Sequence, residues 1–270
     1  MPLITFASPK GGVGKTTLAA HVAALLARAG HQVVALDLDP QNALRLHMGL
    51  GLWEASAFGA ALPQRPAWRD ALVDTPSGAC LLPFGPTDAS RAMEVSHALL
   101  SQPELLADPV RDMLSVPGLF LVVDSPPGPN PALSALSGLT DILVVVLLAD
   151  AGSAALIPQI AGNRLLGRGT LAARMSERAV VVLNQVETGQ PLSEAVLELA
   201  AGSLGPRFLG MVCRDPGVAE ALADRRMLIN AEAGAGEDLS VLTETLARRL
   251  RQAGPQVVGA GVGQLGWERP

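Results

Sequence analysis

The run Leu3-Ile4-Thr5-Phe6-Ala7-Ser8-Pro9-Lys10-Gly11-Gly12-Val13-Gly14-Lys15-Thr16-Thr17 is the part of the chain on which the fold turns. Leu3 to Ser8 is a short apolar stretch with the character of a strand. Thr17 to Ala29 is rich in Ala and Leu and stops at Gly30, the residue favoured just past a helix C-terminus. A glycine-rich turn between strand and helix presents successive backbone N–H groups, and the helix N-terminus, to phosphate oxygens. Gly11, Gly12 and Gly14 let that backbone bend and approach closely. Lys15 is expected to reach β- and γ-phosphates, and the Thr16 hydroxyl to ligate Mg2+. Val13 and Thr17 complete a loop that reads as the phosphate cradle of an ATP site.

The general pattern G-x-x-x-x-G-K-[ST] puts its first glycine at position 9, which here is Pro9. In its place the chain carries a second lysine, Lys10, directly before Gly11. Lysine occurs only at these two positions, against 18 arginines. Arginine serves wherever a generic positive charge suffices, whereas the phosphate loop retains compact ammonium groups on flexible stems.

Outward from the loop, strands and helices alternate. Gln32–Leu38 reads as a second strand ending on Asp37 and Asp39, followed by a less regular, proline-containing stretch to about residue 78. Further strands are expected at Cys80–Phe84, Leu119–Val123, Ile142–Leu148, Ala179–Leu183 and Phe208–Val212. Helical patterns fall at Ala89–Leu114 (broken at Pro103), Leu133–Leu139, Ala154–Leu166 (with Pro158 as a kink point), Leu192–Ala201, Val218–Ala223 and Leu239–Arg251. The β-branched run Ile142–Leu148 suits a central parallel strand covered on both faces. This order implies an α/β fold, a doubly wound, mostly parallel sheet with helices on both faces. Residues 1–252 form one domain in this reading, and 253–270 a Gly-rich, frayed tail.

Composition removes several function classes. A net charge of −5 gives no global basic field for nucleic acid or anionic lipid. Cys80 and Cys213 lie far apart, and the four histidines lack the close spacing of a metal site. The longest strongly apolar run, Ile142–Ala149, is far short of the ~20 residues of a membrane helix. With no leader-like start before the phosphate loop, the expected location is the cytosol.

Two further motifs sit at expected strand ends, where open α/β sheets bind their ligands. Asp37-Leu38-Asp39-Pro40-Gln41 lies 24 residues beyond Lys15, counted to Asp39. Leu121-Val122-Val123-Asp124-Ser125-Pro126-Pro127-Gly128 ends a buried strand on an acid. Alone, either acid could simply start a turn or cap a helix. In this order, behind a phosphate loop, they read as parts of one site.

With Lys10, the three motifs resemble the deviant-Walker-A ATPases of the MinD/ParA group, P-loop NTPases of the SIMIBI type. The resemblance implies ATP and Mg2+ sandwiched in a homodimer, with Lys10 of each subunit reaching the other's nucleotide. It implies that Asp39 positions the attacking water, and makes Asp39 a further candidate for water-mediated contact with Mg2+. Asp124 would hold Mg2+ through water, and the loop after it would sense the γ-phosphate. Lys10, Lys15 and Asp39 are the catalytic candidates. Asn184, after Val180–Leu183, matches the adenine-recognising position, and Arg214-Asp215-Pro216 resembles the second base-flanking loop.

Within the group, Trp68-Arg69-Asp70-Ala71, Leu81-Leu82-Pro83-Phe84-Gly85, Asn42-Ala43-Leu44-Arg45-Leu46 and Arg214-Asp215 resemble the BcsQ family of bacterial cellulose secretion systems. This implies a slow, partner-regulated ATPase acting as an assembly switch. Its partners would be cytosolic accessory subunits of the cellulose synthase complex, with peripheral, indirect contact to the inner membrane. Two alternatives stay open: a ParA-type DNA-partition ATPase using Arg225, Arg226 and Arg248–Arg251, and an ATP-binding scaffold with little hydrolysis. The acidic balance argues against nucleic acid, and arginines at helix ends are also favoured by the helix dipole.

Overall fold

The computed structural model describes residues 1–51, 55–164, 175–229 and 233–253. Among the described residues, eight strands form one sheet: β1 (Leu3–Ala7), β2 (Gln32–Asp37), β3 (Val73–Asp74), β4 (Cys80–Leu82), β5 (Leu119–Asp124), β6 (Ile142–Leu148), β7 (Ala179–Val186) and β8 (Phe208–Cys213). Their spatial order is β3-β4-β2-β5-β1-β6-β7-β8. Every neighbouring pair is parallel except β3 with β4, which is antiparallel at the edge. Two-residue β3 lies in the stretch read from sequence as irregular, being too short for any periodicity to register.

Alternation along the strands sends side chains to two faces. Ile4, Phe6, Val33, Ala35, Val122, Val144 and Val182 pack with Leu18, Val22 and Leu26 of helix α1 (Lys15–Arg28) and with Leu239, Leu242 and Leu246 of the helix Ala235–Ala253. Leu3, Val34, Leu36, Leu121 and Val123 face the other way. They meet Val95 and Leu99 of α3 (Ala89–Ser101), Leu106 and Val110 of α4 (Glu104–Ser115), and Trp68 and Phe84. Trp68, within the segment resembling the BcsQ family, is also tethered by its indole N–H donating to Asp112 at 2.6 Å.

Several boundaries depart from the sequence reading. In place of one kinked helix over Ala154–Leu166 there are two short ones, Ala151–Ala154 and Ile157–Ala161. Pro158 is tolerated because it falls in the first turn of the second helix, where the missing N–H has no helical partner. Residues 165 and 166 lie outside the described residues, as does the tail from 254 onward. The helix expected at Leu133–Leu139 begins earlier, at Pro131, where the Asn130 carboxamide accepts from the Leu133 N–H at 2.8 Å, and it ends at Leu136. Strand β7 does not stop before Asn184 but runs on to Val186. Among the described residues, no helix is long and apolar enough to cross a membrane.

Candidate functional site

Strands β2, β5 and β1 lie side by side, and their C-terminal ends deliver the three motifs to one place. Asp37 and Asp124 are register partners on β2 and β5, and Phe6 pairs with Asp124 across β1. The loops leaving these strands are stitched together: the Leu38 N–H donates to the Asp124 carbonyl (2.9 Å), Ser125 to Phe6 (3.2 Å) and Gly128 to Ser8 (2.7 Å).

The phosphate loop has the backbone its role requires. Gly12 and Gly14 take φ of +76° and +83°, left-handed values that a Cβ disfavours. Gly11 does not, so its freedom is not needed for the turn. Gly14 caps α1 without a side-chain hydrogen bond, which leaves the first-turn N–H groups directed at the loop's concavity. A Cβ on Gly14 would also lie 2.2 Å from the Asn184 carboxamide nitrogen. Asn184 is buried and donates to the Val13 carbonyl at 2.8 Å, so it braces the loop from the β7 side.

Behind the loop, the Asp124 carboxylate is shared. Its Oδ1 accepts from Lys15 Nζ at 2.5 Å and its Oδ2 from the Thr16 hydroxyl at 2.7 Å. Burial raises the Asp124 pKa, and Lys15 opposes that rise by charge and hydrogen bond. Asp37 is fully buried, and its pKa is pushed well up, first by burial and then by the Asp124 charge. Asp37 accepts the N–H groups of Asp39 (2.9 Å) and Leu44 (3.1 Å), which makes it the clamp of the following turn. Asp39 sits on that turn, accepting the Gln41 N–H at 3.0 Å through one oxygen. The hydroxyl of Thr16 and the carboxylate of Asp124, two hard oxygen donors beside an anion-binding helix N-terminus, form a donor set that fits Mg2+ bound together with phosphates.

The two lysines have opposite settings. Lys15 is buried against Asp124, at 6% side-chain exposure. Lys10 points outward at 39% exposure and pairs with Asp150 at 2.6 Å. Asp150 also caps the helix Ala151–Ala154 by accepting the Ser153 N–H at 2.7 Å. Sequence reading missed Asp150. An Asp just past a strand carries a visible helix-cap signal, but its pairing with a lysine 140 residues away does not.

On the β7–β8 side, Arg214, Asp215 and Pro216 do come to the sheet's C-terminal edge. The Arg214 N–H donates to the Val186 carbonyl at 2.9 Å and its side chain pairs with Glu187. Both Asp215 oxygens are committed to helix starts, one to Gly217 N–H at 2.8 Å and the other to Ala235 N–H at 3.2 Å. Pro216 is the first residue of the helix Pro216–Ala223.

This is the layout of a P-loop nucleotide site with a second, outward lysine. The family described as cellulose biosynthesis protein BcsQ matches residues 1–246. The chain belongs to the BcsQ family. That family stands among the MinD/ParA-type P-loop ATPases, as the relatives show. The BcsQ of Escherichia coli is 22% identical over 244 residues, covering 90% of this chain and 92% of the relative. The chromosome-partitioning ATPase Soj of Thermus thermophilus is 35% identical over 144 residues, 53% of each chain. Among solved structures, the MinC:MinD cell division complex of Aquifex aeolicus superposes with a TM-score of 0.72, covering 97% of this chain and 100% of that one at 20% identity. A Cyanothece McdA–ATP complex gives 0.71, covering 96% and 99% at 20% identity. At such identity the structural likeness speaks for the fold alone.

Proposed function

We propose that the protein is an Mg2+-dependent ATPase that dimerises around ATP and serves as an assembly switch for bacterial cellulose secretion. The observation that carries this reading is the opposite setting of the two lysines. Lys15 is turned into its own site, whereas Lys10 stands at the surface, where a second subunit could receive it. Under this reading Lys15, with the N–H groups of Gly12 to Thr16, binds the β- and γ-phosphates. Asp39 orients the water that attacks the γ-phosphorus, and Lys10 of the facing subunit balances charge on the transferred phosphoryl group. Thr16 and Asp124 would hold Mg2+, which when bound neutralises phosphate charge. The bond to the β-phosphate oxygen breaks, and ADP and phosphate leave. Turnover is slow in this proposal, because the lifetime of the dimer is the signal.

Membership of the BcsQ family supports the cellulose assignment, with cytosolic accessory subunits of the synthase as partners and the inner membrane reached through them. Lys15→Ala is expected to lose nucleotide binding, and Asp39→Ala to bind ATP but hydrolyse it at least a hundredfold more slowly. Titration with ATP and phosphate-release assays check both, and wild-type hydrolysis in Asp39→Ala would refute the role given to Asp39. The similarity to Soj favours DNA partition as the second reading. Retention on DNA at moderate salt, lost on replacing Arg248, Arg249 and Arg251, would select it.

A further inference from the structure

We infer that an apolar cavity between α3 and the two loops bearing the catalytic acids is the docking point of a basic amphipathic helix from a different protein. The inference rests on the switch reading above only in taking that helix to belong to the switch's partner. The cavity holds about 90 Å3. Among its walls are Leu38 and Pro40, on either side of Asp39, Pro126 from the loop after Asp124, Phe84, and Ala92 and Ser96 of α3. A dry cavity of roughly 150 Å3 takes a benzene ring, so this one takes a single aliphatic side chain.

Outside the cavity α3 stays apolar. Met93 and Leu100 are 74% and 71% exposed, the two most exposed large apolar side chains among the described residues. They stand seven residues apart and share one side of the helix. Ser96, three residues from one and four from the other, joins that side to the cavity. The stripe runs about 10 Å, two helical turns, which is the contact length of a packed helix rather than of a small ligand.

The charge around the stripe selects the helix. Residues 88–112 hold five acids against two arginines, and those arginines, Arg91 and Arg111, are already paired with Glu94 and Asp108. A second copy of this chain, at net charge −5 and with both lysines in the phosphate loop, brings the wrong sign. The chain's own residues 254–270 hold one acid against one arginine. They also start from the far edge of the sheet, since Arg249 near the end of the helix Ala235–Ala253 donates to the Pro206 carbonyl ahead of β8. The complementary charge therefore comes from another protein. Its inserted side chain would lie against Pro40 and Pro126, one residue past Asp39 and two past Asp124.

The probe is a labelled helical peptide of about 18 residues made of Leu and Lys, with Leu spaced to form one face, and its counterpart with Glu for Lys. Fluorescence anisotropy is read on the full chain without nucleotide. The Lys peptide should bind, and the Glu peptide at least about tenfold more weakly. Ala92→Leu, which fills the cavity, and the double variant Met93→Gln with Leu100→Gln, which removes the stripe, should each weaken the Lys peptide about tenfold. The double variant changes only exposed side chains, so it keeps the test open should Ala92→Leu fold poorly. Equal binding of the two peptides, or binding by both variants within twofold of the parent, would overturn the inference. So would displacement of the probe by a peptide of residues 254–270, which gives the cavity to the chain's own tail. Nucleotide-free self-association lost in the double variant would give it to a second copy and overturn the inference as well. A parent chain that binds the Lys peptide but not ATP would instead sink the nucleotide reading and leave the docking site standing.

Discussion

At the scale of single residues, the site is built from groups whose neighbours leave them little choice. Gly14 illustrates this: its φ is left-handed and its missing Cβ makes room for the Asn184 amide. Gly14→Ala should cost about 2 kcal/mol or more in urea denaturation and abolish nucleotide binding. Asp150 has two separable roles. Asp150→Asn keeps the cap acceptor but loses the exposed ion pair with Lys10, so its stability should change by under ~1 kcal/mol. Asp150→Ala should lose about 1 kcal/mol more with the cap. The placement of Lys10, Lys15, Thr16, Asp39 and Asp124 around the C-terminal ends of β1, β2 and β5 was legible in the sequence, because each follows or ends an apolar run that reads as a strand. The partners of Lys10, and the double cap by Asp215, were not. They are set by the approach of distant segments, which leaves no local pattern.

At the scale of elements, caps and buried histidines decide how firmly the helices around the site are held. His21 of α1 donates from Nδ1 to the Thr17 carbonyl at 2.8 Å and accepts the Leu228 N–H at Nε2, 3.2 Å away. Both bonds together require the neutral ring, and burial lowers the His21 pKa. His47, at the end of the short helix α2 (Leu44–His47), is pushed down to about 4, first by burial and then by the charges of His21 and Lys15. For both rings the folded pKa is below the unfolded one, so stability is full above about pH 6.5 and falls as the pH drops below it. His47 alone should cost roughly 2 kcal/mol by pH 5. Urea midpoints at pH 7 and pH 5 should show this, and His47→Gln should flatten the difference. The helices expected from apolar periodicity were found within a few residues. The exceptions were set by prolines, whose effect depends on the turn of the helix they occupy.

At the scale of the whole molecule, the alternation of strand and helix was enough to read a doubly wound parallel sheet. The strand order was not legible, because it depends on which crossovers pack on which face. That order is what matters for function. By setting β2, β5 and β1 side by side it gathers Asp37, Asp124 and the phosphate loop at one surface, with their loops hydrogen-bonded to one another. Lys10, with its salt bridge to Asp150, lies on that surface. The most direct test of the switch is the mass of the Asp39→Ala protein by light scattering, with and without Mg-ATP. The expected mass is twice the 27.8 kDa of one chain with ATP and that of a single chain without it, with the doubling lost when Lys10→Ala is added. A protein that binds ATP yet stays at the mass of one chain would contradict it.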